Sequence, residues 1–337
     1  MRIGVDAMGG DFAPAGVVKG ALEAERLLSD EDRIVLLGDE SSIREHLDAS
    51  CGWERFVQIE HAGEVIGMDE SPVEALRQKP DSSISKMASL AARGRLDAMI
   101  SAGNTGACVA AAQMRLRRLR GVHRPGIAIV TPTYAGPVVM CDVGANVNCR
   151  PRHLYQYGLM SVEYSRCICG IDKPRVALLS IGAEDAKGNQ LVKETRDLFK
   201  NDPEMKFVGN VEGRDMFHGA CDVVVTEGFV GNVALKLMEG LAEGLFKSTY
   251  LELTRSNPEL AGRFEHAITT IRDKYDFNEY GGAPLLGVNG ICIICHGASR
   301  AKGITNAIGV ALSFAETHIN DRITECLIRR GQSGDDL

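Results

Sequence analysis

An α/β fold in three layers, α/β/α with a mostly parallel sheet, is predicted by three features of the chain. Short runs rich in Val, Ile and Leu recur along its length. Each is followed by a glycine-bearing polar loop and then by a helix-like segment, the rhythm of repeated βα units. Several runs are apolar at successive positions instead of alternating, as strands covered on both faces are.

Arg2-Ile3-Gly4-Val5-Asp6 makes the first strand, and Pro14, with its fixed φ and missing N–H, suits the first turn of the helix behind it. Strands follow at 33–37 and 56–60, and Ser71-Pro72 opens a helix ahead of Val73-Glu74-Ala75-Leu76. Further strands are expected at 97–101, 126–130, 138–142, 175–180, 207–209, 222–226 and 290–295. Residues 233–272 break the rhythm. Leu235, Met238, Leu241, Leu245 and Tyr250 form a helical stripe there and Asn257-Pro258 interrupts it, which predicts a helical hairpin inserted in the fold. That hairpin is either packed on its own core or a protruding interface. A long C-terminal helix continues through 321–330, and 331–337 is expected to fray. No linker divides the chain, so 1–330 is expected to be a single domain, at most two interwoven lobes.

Composition narrows the function. With 337 residues, 45% apolar and 25% charged, the chain is an ordinary folded protein. Its 38 basic against 45 acidic residues give a net charge of −7, so no global positive field gathers nucleic acid. The chain runs into a strand from Met1, so no secretory leader is expected, and the ten cysteines are expected to be reduced in the cytoplasm. Glycine is in excess, 37 of 337 against a norm of roughly 7%.

The glycines gather in loops at the predicted carboxyl ends of strands, where open α/β sheets bind ligands. These loops are Asp6-Ala7-Met8-Gly9-Gly10-Asp11, Ser101-Ala102-Gly103-Asn104-Thr105-Gly106, Asp142-Val143-Gly144-Ala145-Asn146, Lys187-Gly188-Asn189, Glu227-Gly228-Phe229-Val230-Gly231-Asn232 and His296-Gly297-Ala298-Ser299. Bare backbone N–H groups, amide side chains and one lysine at helix starts suit an oxyanion or phosphate. Taken singly they suit turns and caps equally well; six loops expected on one edge favour the anion site.

Other chemistries lack their motifs. No Walker loop or G-x-G-x-x-G after a strand is present, and Met99 and Leu178 stand where a nucleophile elbow needs glycine. Cys292-Ile293-Ile294-Cys295-His296 matches haem attachment, but both cysteines fall in a buried-looking strand. No cofactor and no metal are expected. Arg115, Arg117, Arg118, Arg120 and Arg124 form the one dense basic run, read as a solvated helix end or as a dock for an acidic partner.

In order along the chain, the loops quoted above, with Gly209-Asn210-Val211-Glu212-Gly213-Arg214-Asp215 and Tyr280-Gly281-Gly282-Ala283-Pro284-Leu285-Leu286-Gly287-Val288-Asn289-Gly290, resemble the bacterial phosphate acyltransferases of phospholipid synthesis. The resemblance runs from Met1 to about residue 330. It implies a fold like that of the isocitrate/isopropylmalate dehydrogenases and phosphotransacetylases, and a cytoplasmic homodimer loosely associated with the membrane. It implies transfer of an acyl group from acyl-[acyl-carrier protein] to inorganic phosphate, with a membrane acyltransferase passing the acyl group on to glycerol 3-phosphate. Glu227 and Asn148 depart from it, each standing where an aspartate is expected. The alternatives are a phosphotransacetylase using acyl-CoA and a non-catalytic acyl- or anion-binding protein.

On this reading Lys187 and Asn232 bind phosphate or the oxyanion, and His296 or Asp6 manages the proton. Gly9, Gly10, Asp11, Ser101, Asn104, Thr105, Asp142, Asn146 and Asn189 line the cleft, while Arg117, Arg118 and Lys236 meet the carrier protein.

Overall fold

The computed structural model describes residues 1–47, 52–256, 262, 269–271 and 281–332. Eleven strands form one sheet in the order β3-β2-β1-β4-β11-β10-β5-β6-β9-β7-β8. They are β1 (Arg2–Asp6), β2 (Arg33–Gly38), β3 (Val57–His61), β4 (Ala98–Ser101), β5 (Gly126–Thr131), β6 (Val138–Cys141), β7 (Val176–Leu179), β8 (Phe207–Val211), β9 (Val223–Val225), β10 (Ala283–Leu286) and β11 (Ile291–Ile294). Seven of the ten strand pairings among the described residues are parallel, so the sheet is mostly parallel.

Alternate residues of each strand enter separate apolar cores, one per face. Val139 and Cys141 of β6 pack with α1 (Ala15–Glu23), α6 (Pro151–Ile168), α9 (Ala301–Glu316) and α10 (Ile319–Arg329) through Val17, Leu154, Ile304 and Ile323. Val138 and Met140 pack on the other face with α3 (Pro72–Gln78), α4 (Ser83–Ala92) and α5 (Thr105–Arg115) through Ala75, Ile84 and Ala107. Full burial of β4, β5, β6, β9 and β11 is why those strands read as unbroken apolar runs. Helices α2 (Glu40–Arg44) and α7 (Gln190–Lys200) complete the outer layers, and α8 (Gly228–Ser256) is the longest.

Two sequence expectations change. The C-terminal helix is two helices, because His318 takes a left-handed conformation (φ 52°) between α9 and α10. Of the predicted stripe on α8, Leu235 and Met238 pack against the core, whereas Leu241, Leu245 and Tyr250 are exposed. Asn257-Pro258 and most of the second arm of the predicted hairpin lie outside the described residues, as do 333–337 of the tail; Gln332 accepts a hydrogen bond from Arg152 at 3.0 Å.

An antiparallel seam in the middle of the sheet, at β10 (a strand absent from the sequence reading) and at β5/β6, controls where the loops go. β10 is antiparallel to both β11 and β5, and β5 is antiparallel to β6. Strands β1, β2, β3, β4 and β11 therefore point one way, and β6, β7, β8 and β9 the other. The expectation that all the glycine loops share one edge is corrected: those after β1, β4 and β11 lie on one edge, those after β6, β7 and β9 on the opposite one. Helix α8 runs antiparallel to β9, from the second edge towards the first.

Candidate active site

On the first edge the loops are tied to one another. Asp6 is buried, and its carboxylate accepts from the Ser101 hydroxyl at 2.7 Å and from the Met8 N–H at 3.2 Å. Ser101 Oγ in turn accepts from the Gly103 N–H at 3.0 Å. Burial pushes the Asp6 carboxyl up from the ordinary carboxylate range, against the hydrogen bonds that hold it down. Gly9 permits the close approach of the β1 and β4 loops: a Cβ there would lie 2.5 Å from Asp6 Oδ2 and 2.6 Å from the Gly103 nitrogen. Gly10 has φ 97°, and the Asp11 N–H donates to Gly297 O at 2.8 Å, joining the β1 loop to the β11 loop.

Asn104 has no donor left for an anion. Its Oδ1 caps α5 by accepting from the Ala107 N–H at 3.0 Å, and its Nδ2 donates to the carbonyls of Gly67, Met68 and Glu70 at 3.0–3.2 Å. It pins the loop at 67–70, while Thr105 and Asp11 are exposed at the surface of this edge. The His296 ring accepts from the Ala298 N–H at Nδ1 (3.1 Å), so the neutral ring carries its proton on Nε2, 3.8 Å from Glu239 Oε2. Lys236 donates to the same carboxylate at 2.8 Å, which sets the lysine against its own helix partner.

On the second edge one buried carboxylate organises the loop after β6. Asp142 accepts from the N–H groups of Ile127, Gly144 and Ala145 at 3.0–3.1 Å and of Asn146 at 2.8 Å. Burial pushes its carboxyl up all the same. Asn146 Nδ2 donates to Pro125 O at 2.6 Å and Tyr157 Oη at 2.9 Å. Both side chains shape the loop from within.

The N-terminus of α8 rests on that loop. Gly228 N–H donates to Asn146 O at 2.8 Å, and a Cβ on Gly231 would stand 1.9 Å from Asp142 O. Gly231→Ala is expected to cost about 3 kcal/mol through displacement of the helix, read as a lowered denaturant midpoint with an unchanged slope. Glu227 accepts from the Phe229 and Val230 N–H groups at 2.7 and 2.9 Å, filling the first amides of the helix. The departure at this position is thus a helix cap. Asn148, the other departure, is exposed.

Asn232 is exposed one turn into α8, its side chain 3.8 Å from where a Cβ on Gly144 would lie. The neighbouring loop, after β7, carries Lys187, which is exposed and has no carboxylate within ion-pair distance among the described residues. Gly188 follows at φ 94°, and Asn189 Oδ1 caps α7 by accepting from the Val192 N–H at 2.9 Å. Beneath the same loop Ser180 Oγ and Asn210 Oδ1 are buried without a hydrogen-bond partner among the described residues. Neither was anticipated as a site residue. Ser180 stands two residues after Leu178, whose place a nucleophile elbow would give to glycine, and Asn210 needs the pairing of β7 with β8, which sets it opposite Leu178.

The fold therefore separates the anticipated residues into two groups. Asn232 and Glu239, seven residues apart, are about 10 Å apart along α8, so this helix connects the exposed lysine edge to the His296 edge. Of the basic run, only Arg115 belongs to a helix end. Arg117 sits at φ 66°, and Arg118 donates to His123 O at 2.6 Å, two residues from the Pro125 carbonyl that holds Asn146. The run thus abuts the Asp142 loop. The second edge carries glycine turns and a lysine unpaired among the described residues, while the starts of α7 and α8 there are already capped by Asn189 and Glu227.

Comparison with known proteins bears on this arrangement. Residues 1–322 match the family model described as fatty acid synthesis protein. A phosphate acyltransferase of Nitratidesulfovibrio vulgaris is 46% identical over 329 residues, covering 96% of this chain and 94% of that protein. One of Dictyoglomus turgidum is 44% identical over 338 residues, covering 99% and 100%. Among solved structures, a phosphotransacetylase from Streptococcus pyogenes aligns with a TM-score of 0.61 at 16% identity, covering 94% of each chain. A branched-chain phosphotransacylase from Enterococcus faecalis aligns at 0.56 and 15% identity, covering 94% of this chain and 99% of that one. At such identities the structural likeness speaks for the fold alone.

Proposed function

The chain belongs to the fatty acid synthesis protein family, and on that footing we propose that it transfers a fatty acyl group from acyl-[acyl-carrier protein] to inorganic phosphate. The products are free carrier protein and an acyl phosphate destined for phospholipid synthesis. The observation that carries this reading is near-full-length identity of 44–46% to phosphate acyltransferases, in a chain whose second edge carries an exposed lysine unpaired among the described residues.

Phosphate is already an anionic nucleophile, and a thioester is already activated. A phosphate oxygen attacks the thioester carbonyl carbon, the C–S bond breaks, and the proton of hydrogen phosphate ends on the departing thiolate. The protein's tasks are to hold phosphate against the carbonyl and to stabilise the oxyanion. Positioning supplies about 7–11 kcal/mol and an oxyanion donor about 2.7–4 kcal/mol in comparable cases. Lys187, with Asn232, fills these roles. His296 and Asp6 lie on the other edge, away from Lys187 and Asn232: the His296 ring accepts from the Ala298 N–H, and Asp6 is occupied by Ser101 and holds its loop.

The basic run beside the Asp142 loop fits an acidic face of the carrier protein. Reversing Arg117 and Arg118 to glutamate is expected to raise KM for the acyl-carrier substrate about ten-fold at low salt, with kcat little changed; an unchanged KM removes these residues from the dock. We place the enzyme in the cytoplasm as a homodimer in loose contact with the membrane, near a glycerol-3-phosphate acyltransferase. Among the described residues no helix is long and apolar enough to cross a membrane. The reaction is tested by trapping acyl phosphate with hydroxylamine, with and without inorganic phosphate. Acyl hydroxamate that requires phosphate supports the reading, and its absence with every donor, acyl-carrier protein and acyl-CoA alike, overturns it.

A further inference from the structure

Away from the Lys187 loop, the segments that lead into β7 and β8 face the C-terminal halves of α6 and α10 across a cavity of about 480 Å³. That size falls within the range of small-molecule sites, roughly 300–1,000 Å³. Its floor is apolar: Leu159, Val162, Met205 and Cys326 line it and are buried in the core on that face. No aromatic side chain lines it, so nothing there stacks a flat ring; the walls suit a flexible chain.

Charge at the mouth is not balanced. Arg166 is paired with Glu163 at 2.6 Å, and Arg330 with Asp202 at 2.7 Å and Glu204 at 3.4 Å. Lys173 and Lys206 also line the cavity and are exposed, and neither has a carboxylate within ion-pair distance among the described residues. Asp222, which feels Lys206 from further off, is committed to Arg175 through two nitrogens at 2.8 and 3.0 Å. In a chain of net charge −7, two uncompensated lysines above an apolar floor invert the local sign.

We propose that this cavity binds an aliphatic anion, a fatty carboxylate or an alkyl phosphate, with its chain on the apolar floor and its head at Lys173 and Lys206. The acyl-transfer reading assigns these residues no role. Strand β7 separates the cavity from the Lys187 loop: the five steps from Pro174 to Leu179 rise about 17 Å. The two sites therefore lie at opposite ends of one strand, and a ligand at one does not touch the other.

Calorimetric titration of the full chain with octanoate and with octyl phosphate tests the proposal. Saturable binding of either is expected, and butanoate or butyl phosphate should bind about ten-fold or more weakly, because the shorter chain leaves the floor uncovered. Lys173→Glu/Lys206→Glu is expected to weaken the eight-carbon ligand about ten-fold, whereas Lys19→Glu, on the exposed face of α1, and Lys187→Ala should leave its affinity unchanged. Should the double variant not fold, the wild type decides: affinity that falls as ionic strength rises supports the cationic mouth, and affinity indifferent to salt overturns it. No saturable binding of either eight-carbon anion overturns the proposal. So does equal affinity for short and long chains, or affinity lost in Lys187→Ala and kept in Lys173→Glu/Lys206→Glu, which assigns the ligand to the candidate active site.

Discussion

Lys187→Ala is expected to lower acyl phosphate formation by about 10²–10³-fold while leaving the melting temperature where it was. The two halves of that expectation come from the same geometry. Lys187 is exposed and forms no ion pair among the described residues, so its ammonium group contributes nothing to the folded state that alanine would forfeit. It stands on a turn shaped by Gly188 at φ 94°, at the entry to α7, where Asn189 already supplies the cap. The charge is therefore free for an anion that arrives with the substrate. Lys187→Arg tests what kind of contact this is: a point charge on a flexible stem is not replaced by a wide planar fork, and partial recovery is expected. Full turnover by the alanine variant would exclude Lys187 from the mechanism. A large fall in melting temperature would instead make it structural.

Ten of the eleven strands were legible, most of them because burial on both faces writes itself as unbroken apolar sequence, although the edge strands β3 and β8 are partly exposed. The eleventh, Ala283–Leu286, was not. It is four residues long, contains Pro284 and is bracketed by Gly282 and Gly287, a composition that reads as a loop. The half-sheet reversal falls beyond it, at the antiparallel β5/β6 pair, and no local composition records a strand's direction. That is why the glycine loops were legible as loops and their division between two edges was not.

The same limit applies to individual side chains. Asn104 and Lys187 look alike in sequence, each a polar residue beside glycine at a helix start. Asn104 proves to be committed to the carbonyls at 67, 68 and 70, more than thirty residues away in the chain. Lys187 is left open. Contacts of that range decide which of the anticipated residues hold the fold and which remain for a ligand.

Asp142 is the strongest case of a residue that reads as a binding group and acts by holding a loop. Four backbone N–H groups converge on its carboxylate, and α8 rests on its carbonyl through Gly231. Asp142→Ala leaves those donors without an acceptor in a buried place, at about 1–3 kcal/mol for each group that water does not reach. A net loss of about 3–5 kcal/mol follows, seen as a melting temperature lower by on the order of 10 °C. Activity should fall with it, since the α8 N-terminus loses its seat. Asp142→Asn keeps one acceptor oxygen and should cost less. Because burial raises this carboxyl's pKa, the folded chain retains a proton that the unfolded chain has already released, and stability from this group falls as pH rises through that window. The asparagine variant lacks that dependence, so its deficit against the wild type should be larger at acid pH than at neutral pH. A deficit that widens towards neutral pH would mean that the four amides hold the carboxylate as an anion more strongly than burial opposes it.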